Sequence, residues 1–112
     1  MIDITLKARD NGELSSCKVS GHAGYAKKGE DIVCAAVSVL VRTAVLQLQE
    51  WKKDNEDLKV SLNCQTDGLV VFDVTQRGEC LHEALIHLFS FLKLGFEGIH
   101  LEYPDYVRLQ VE

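Results

Sequence analysis

Between Ile32 and Leu48 only Ser38, Arg42, Thr43 and Gln47 are polar. A run this apolar and this long is a helix, and a helix with a single core-facing side shows a much wider polar arc. It must therefore be covered on more than one side, by its own domain or by a second copy. In a chain of 112 residues the second copy is the expectation, so a homodimer is predicted. Asp31 stands directly before the run as a favoured N-cap, its carboxylate accepting first-turn amide hydrogens. The helix closes in Lys52-Lys53-Asp54-Asn55, where lysines suit the negative end of the dipole.

The remaining segments read mainly as strands. Ile2, Ile4 and Leu6 alternate with Asp3, Thr5 and Lys7, and Asp10-Asn11-Gly12 is a turn signal. A second strand from Glu13 to Gly21 completes a hairpin, and a glycine-punctuated loop from Ser20 to Glu30 follows. Leu58–Leu62 alternates as a third strand. Thr66-Asp67-Gly68 turns into a fourth, Leu69–Val74. A second helix is predicted from Glu79 to Leu94, with Leu81, Leu85, Leu88 and Leu92 as one stripe and Gly95 as its stop. The tail from His100 to Glu112 turns at Pro104 and ends in an alternating strand. The order β-β-α-β-β-α-β implies an α+β two-layer sandwich, a mainly antiparallel sheet with two helices on one face. One domain, residues 1–112, accounts for the whole length.

Composition narrows the function. The net charge of −5 argues against direct nucleic-acid binding and fits a basic peptide or protein partner. No apolar run is expected to reach the length of a membrane span, so no membrane partner is expected. Met1-Ile2-Asp3-Ile4 lacks the order of a signal peptide, which makes the cytoplasm the expected location. Cys17, Cys34, Cys64 and Cys80 are then expected as reduced thiols. They lie 16 to 30 residues apart, without the local spacing of a zinc site. His82-Glu83-Ala84-Leu85-Ile86-His87 has one residue too many for a metalloprotease helix; a five-residue step separates the imidazoles by about 140°. Neither metal nor other cofactor is expected.

One thiol stands apart. A free cysteine in an apolar helix is ordinarily a small buried hydrophobe. Cys34, however, falls near the third residue of the predicted helix, where unpaired amide hydrogens favour a thiolate and could hold an oxyanion. His22 lies twelve residues earlier, on the glycine-rich loop. Asp31 serves as a cap, as an orienter of the imidazole, or as both. Ser38 is one turn beyond Cys34, on the same face. Cys17, Cys64 and Cys80 read as structural.

Gly21-His22-Ala23-Gly24-Tyr25-Ala26, then Gly29, then Asp31-Ile32-Val33-Cys34-Ala35-Ala36-Val37-Ser38 resembles the signature of the ribosomal-processing cysteine protease family, Prp. The resemblance extends to the ending, Tyr103-Pro104-Asp105-Tyr106-Val107. It implies a homodimeric cytoplasmic endopeptidase that removes the N-terminal extension of the bacterial large-subunit ribosomal protein numbered twenty-seven. It also implies Cys34 as nucleophile and His22 as general base and acid, with Gly21, Asp31 and Ser38 at the family's other motif positions. Two rival readings stand beside it. One is a non-catalytic ribosome-assembly factor binding a basic ribosomal protein. The other is a thiol redox sensor, which lacks a resolving cysteine close in sequence.

Overall fold

A computed structural model describes residues 1–21, 28–64 and 70–112, and for 28–31 the backbone alone. Its elements are β1 (Ile2–Ala8), β2 (Leu14–Ser20), α1 (Lys28–Asp54), β3 (Lys59–Cys64), β4 (Val70–Gln76), α2 (His82–Glu102) and β5 (Val107–Val111). This is the expected order. The strands form one sheet in the order β3-β4-β2-β1-β5. All neighbours are antiparallel except β1 and β5, which run parallel.

Period-two alternation decides which face of the sheet is covered. Ile2, Ile4 and Leu6 on β1, Cys17 and Val19 on β2, and Phe72 and Val74 on β4 are buried. Register places them side by side: Leu6 faces Cys17, Cys17 faces Phe72, and Ile2 faces Val107. Residues in the alternate positions include Asp3, Lys18 and Arg108, and Asp3 pairs with Arg108 across β1 and β5 at 2.7 Å. Val33, Val37, Val41, Ala44 and Leu48 of α1 and Leu85, Leu88, Leu92 and Phe96 of α2 complete the core.

Both helices depart from their expected ends. α1 begins at Lys28, before the predicted cap at Asp31. A carboxylate stabilises a helix start from within the first turn as well as from the cap, so Asp31 marks the neighbourhood of the start and not its residue. α2 starts later than expected, at His82, because Gly78 to Leu81 close a turn through Leu81 N–H to Gly78 O at 3.0 Å. It then runs through Gly95 to Glu102. Gly95 is thus no stop. A Cβ there would lie 2.9 Å from Leu40 Cδ1 of α1, so the glycine lets the helices approach. The predicted turn Thr66-Asp67-Gly68 lies outside the described residues.

The membrane expectation also needs correction. Ile32–Asp54 and His82–Glu102 are each long and apolar enough, on length and composition, to cross a bilayer. An uninterrupted-run criterion misses this because isolated polar residues such as Arg42 barely lower the average. Each helix nevertheless lays a stripe of its residues into the shared core.

Opposite the Cys34 end of the sheet, Glu13 is fully buried. Arg77 Nη1 donates to its Oε2 at 2.6 Å, and His82 Nδ1 lies 2.7 Å from the same oxygen. Burial alone would raise this carboxyl's pKa. The hydrogen bonds from His82, Arg77 and Asn11 and the Arg77 charge outweigh it and hold the group below its ordinary 4.5. The network ties the start of α2 to β2 and to the end of β4.

Two outcomes follow from this packing. Gly95→Val should lower unfolding free energy by about 1–3 kcal/mol by prising α1 from α2. Gly98, with nothing within 4 Å of an added Cβ, should accept alanine with a gain of about 0.5–1 kcal/mol. Chemical denaturation of the two variants checks the contrast. For Glu13, a depressed folded pKa means stabilisation that is whole above about pH 4.5 and lost as pH falls below it. Glu13→Gln should therefore melt lower than the parent at neutral pH, the gap narrowing as thermal scans move below that point.

Candidate active site

The phase of α1 determines which of its side chains are free to act. At about 100° per residue, Val33, Val37, Val41, Ala44 and Leu48 share the face turned to the sheet. Cys34, Ser38, Arg42 and Val45 follow one residue later in each turn, and so occupy the adjacent face about 100° round. That face lines a cleft of about 450 Å³. Its other walls are Ile2, Val19, Gly21, Leu62, Cys64 and Val70, with Val37 and Val41 behind.

The strand register arranges that opposite wall. Val19 of β2 faces Val70 of β4, and Val70 faces Cys64 of β3, making a row across the sheet. Leu62 lies in the next row, opposite Phe72. β3 is an edge strand, and Leu62 on it is 48% exposed. The cleft is therefore an apolar recess between a helix and a sheet, bordered on one side by this edge strand.

Cys34 is half-buried in this cleft and unpaired with any other cysteine. It is the seventh residue of α1, not the third. At that depth its amide hydrogen belongs to the helix's own hydrogen-bond ladder, so the expectation that it could hold an oxyanion is withdrawn. Ser38 lies exposed one turn further along the same wall. Gly21 closes the near end at φ +82°, and a Cβ there would run into the Met1 carbonyl oxygen. The position therefore demands glycine. The structure thus brings Gly21, Cys34 and Ser38 to one cavity. His22 lies outside the described residues, as does the side chain of Asp31.

The other thiols separate by environment. Cys17 is buried in the sheet face, and desolvation pushes its thiol up to about 12. It is structural, as expected. Cys80 is exposed in the turn before α2. Cys64 is exposed and faces the same cleft as Cys34, which its strand context in the sequence does not signal. Arg42 likewise reads in the sequence only as an interruption of an apolar run. Its spacing of eight from Cys34 is the signal that could have placed it on the cleft wall.

The two histidines of the misregistered segment end up on different structures. His82 binds Glu13, while His87 lines a second recess between α1 and α2 with Leu40, Thr43 and Phe91.

The model of a family described as cysteine protease Prp matches residues 1–108. Among solved structures, SMU.848 from Streptococcus mutans is 30% identical, with TM-score 0.79 over 99% of this chain and 93% of that one. The fold also matches an essential ribosomal processing protease Prp from S. aureus in complex with a substrate peptide. That match has 18% identity and TM-score 0.79, covering both chains in full. The same protease with a covalently linked product peptide matches at 18% identity and TM-score 0.75, again over the whole of both chains. No curated protein matches.

Proposed function

The chain belongs to the cysteine protease Prp family, and we propose that it is the endopeptidase that trims the N-terminal extension from the bacterial large-subunit ribosomal protein numbered twenty-seven. Family membership makes it a cysteine protease, and a relative of the same fold, an essential ribosomal processing protease, supports a ribosomal protein as the substrate. The observation that supports the site is Cys34 on the wall of an apolar cleft of about 450 Å³, with Ser38 and Gly21 beside it. A relative of the same fold holds a substrate peptide and, in a second structure, a covalently linked product peptide.

In the proposed mechanism His22 takes the Cys34 thiol proton, the thiolate Sγ attacks the scissile carbonyl carbon, and the C–N bond breaks as His22 gives that proton to the leaving amine. The acyl group is then held as a thioester on Cys34. His22 takes a proton from water, the hydroxide adds to the thioester, and the thiolate leaves. Asp31 orients the imidazole or meets substrate, and Ser38 and Gly21 shape the approach. The enzyme works in the cytoplasm on a protein substrate, and no step requires a metal.

The outer side of α1 supports the homodimer. Ile32, Val39 and Leu46 recur every seven residues and are 55%, 56% and 52% exposed. They lie about 160° from the centre of the core stripe, where neither the sheet nor α2 covers them. A second copy covering this stripe accounts for the part of the helix's apolarity that the sheet, α2 and the cleft leave over.

Cys34→Ala and His22→Ala should each abolish cleavage of the ribosomal precursor, followed by mass spectrometry of the products, while thermal unfolding stays within a few degrees of the parent. Retained cleavage by either variant would refute the assignment. Sedimentation equilibrium at micromolar concentration should show a dimer, and Val39→Glu should shift it to monomer. A wild-type protein that sediments only as monomer removes the dimer.

A further inference from the structure

Among the twelve described residues lining the Cys34 cleft, Arg42 is the one that carries a charge. Eight of them are aliphatic or glycine, two are cysteines and one is Ser38. The cation lies on the same face of α1 as Cys34, two steps of four residues along, with Ser38 between them. Among the described residues it takes part in no ion pair. An exposed arginine on a helix ordinarily points to solvent. This one borders an apolar recess that the proposed reaction fills with peptide.

The spacing fixes where along a substrate it acts. Eight residues of helix rise about 12 Å. An extended peptide advances about 3.3 Å per residue, so a peptide lying along the helix has its third or fourth residue from the scissile bond beside Arg42. A guanidinium offers five N–H donors and no acceptor. What it can recognise is therefore an oxygen acceptor, either a carboxylate or a carboxamide. A lysine or arginine at the same place would bring two cations together in a wall of low polarity.

We infer that Arg42 is a specificity-determining residue of this protease: it selects peptides carrying an acidic or carboxamide side chain three or four residues from the scissile bond, and disfavours a basic one there. The inference rests on the reading of Cys34 as the nucleophile. It gives the cleft a chemistry that the protein's overall negative charge does not. The bulk field attracts a basic ribosomal protein as a whole, while Arg42 imposes the opposite sign at one position of the segment that is cut. The two levels separate by range, because the bulk attraction fades with salt over about a Debye length while a contact in the cleft is screened less.

The test uses synthetic peptides spanning the junction between extension and mature protein. Each of the five positions on either side of the scissile bond is replaced in turn by Glu, Gln, Ala and Lys, and kcat/KM is measured. The wild-type enzyme should favour Glu and Gln over Lys about 5- to 20-fold at one position, three or four residues from the cut. Arg42→Glu should reverse that order at that position and leave the order elsewhere as in wild type. Arg42→Gln, which keeps a polar side chain without the charge, should flatten the Glu-to-Lys contrast and decides the matter if the charge reversal does not fold. Carboxylate and carboxamide are told apart by the Glu-to-Gln ratio in the wild type. The same preference profile in wild type and both variants overturns the inference while leaving the protease assignment standing, as does a contrast confined to the residues flanking the cut. Failure of the wild-type enzyme to cleave any peptide in the series overturns both.

Discussion

The rotational setting of α1 on the sheet is the constraint from which the rest of this molecule follows. Val33, Val37, Val41, Ala44 and Leu48 form its buried stripe, and each large aliphatic among them contributes roughly 1.5–3 kcal/mol by leaving water. Turning the helix by one residue would put Cys34, Ser38, Arg42, Val45 and Gln49 in their place. That exchange buries an unpaired cation, at a cost of several kcal/mol. The core therefore holds Cys34 on the cleft wall without any contact made for that purpose. Structural and chemical roles fall on neighbouring stripes of one helix.

The same helix is apolar all round, and its sides have different surroundings. One side faces the sheet and another faces α2, where Gly95 admits Leu40. A third lines the cleft with Cys34, Ser38, Arg42 and Val45. The fourth carries Ile32, Val39 and Leu46. Counting polar residues along the run shows that more than one side is covered, but not how many or by what. The all-round pattern that suggests a partner is thus mostly explained within the domain, and the outer stripe is what remains for a second copy.

Environment divides the cysteines in a way that explains why one of them suits chemistry. Cys17 is packed among strand residues, and burial pushes its thiol up, which keeps it neutral and unreactive. Cys34 borders a cavity large enough for substrate side chains and remains half open. Its place in the second turn of α1 removes the simplest electrostatic argument for activation, the unpaired amides of a helix start. In the proposed mechanism activation falls to a base, the role proposed for His22.

Much of the architecture was legible in the residues alone. Period-two alternation marked the strands and their inner face, and the element order implied the two-layer sandwich, because these signals are local and repeat over several residues. The motif around Gly21, Cys34 and Ser38 pointed to the site for the same reason: its members are close in sequence. Helix ends were less legible. Asp31 is compatible with several starting residues, and Gly95 reads as a stop until the side chain packed against it is known. The residue types and the periods at which they recur give the core stripe of α1 and, beside it, the position of the candidate nucleophile Cys34. The tertiary structure brings Leu62 and Cys64 of β3 and Val70 of β4 across the cleft from Cys34 and Arg42. That pairing is set by the order of strands in the sheet and by the side of α1 left open, and neither is a property of any local segment.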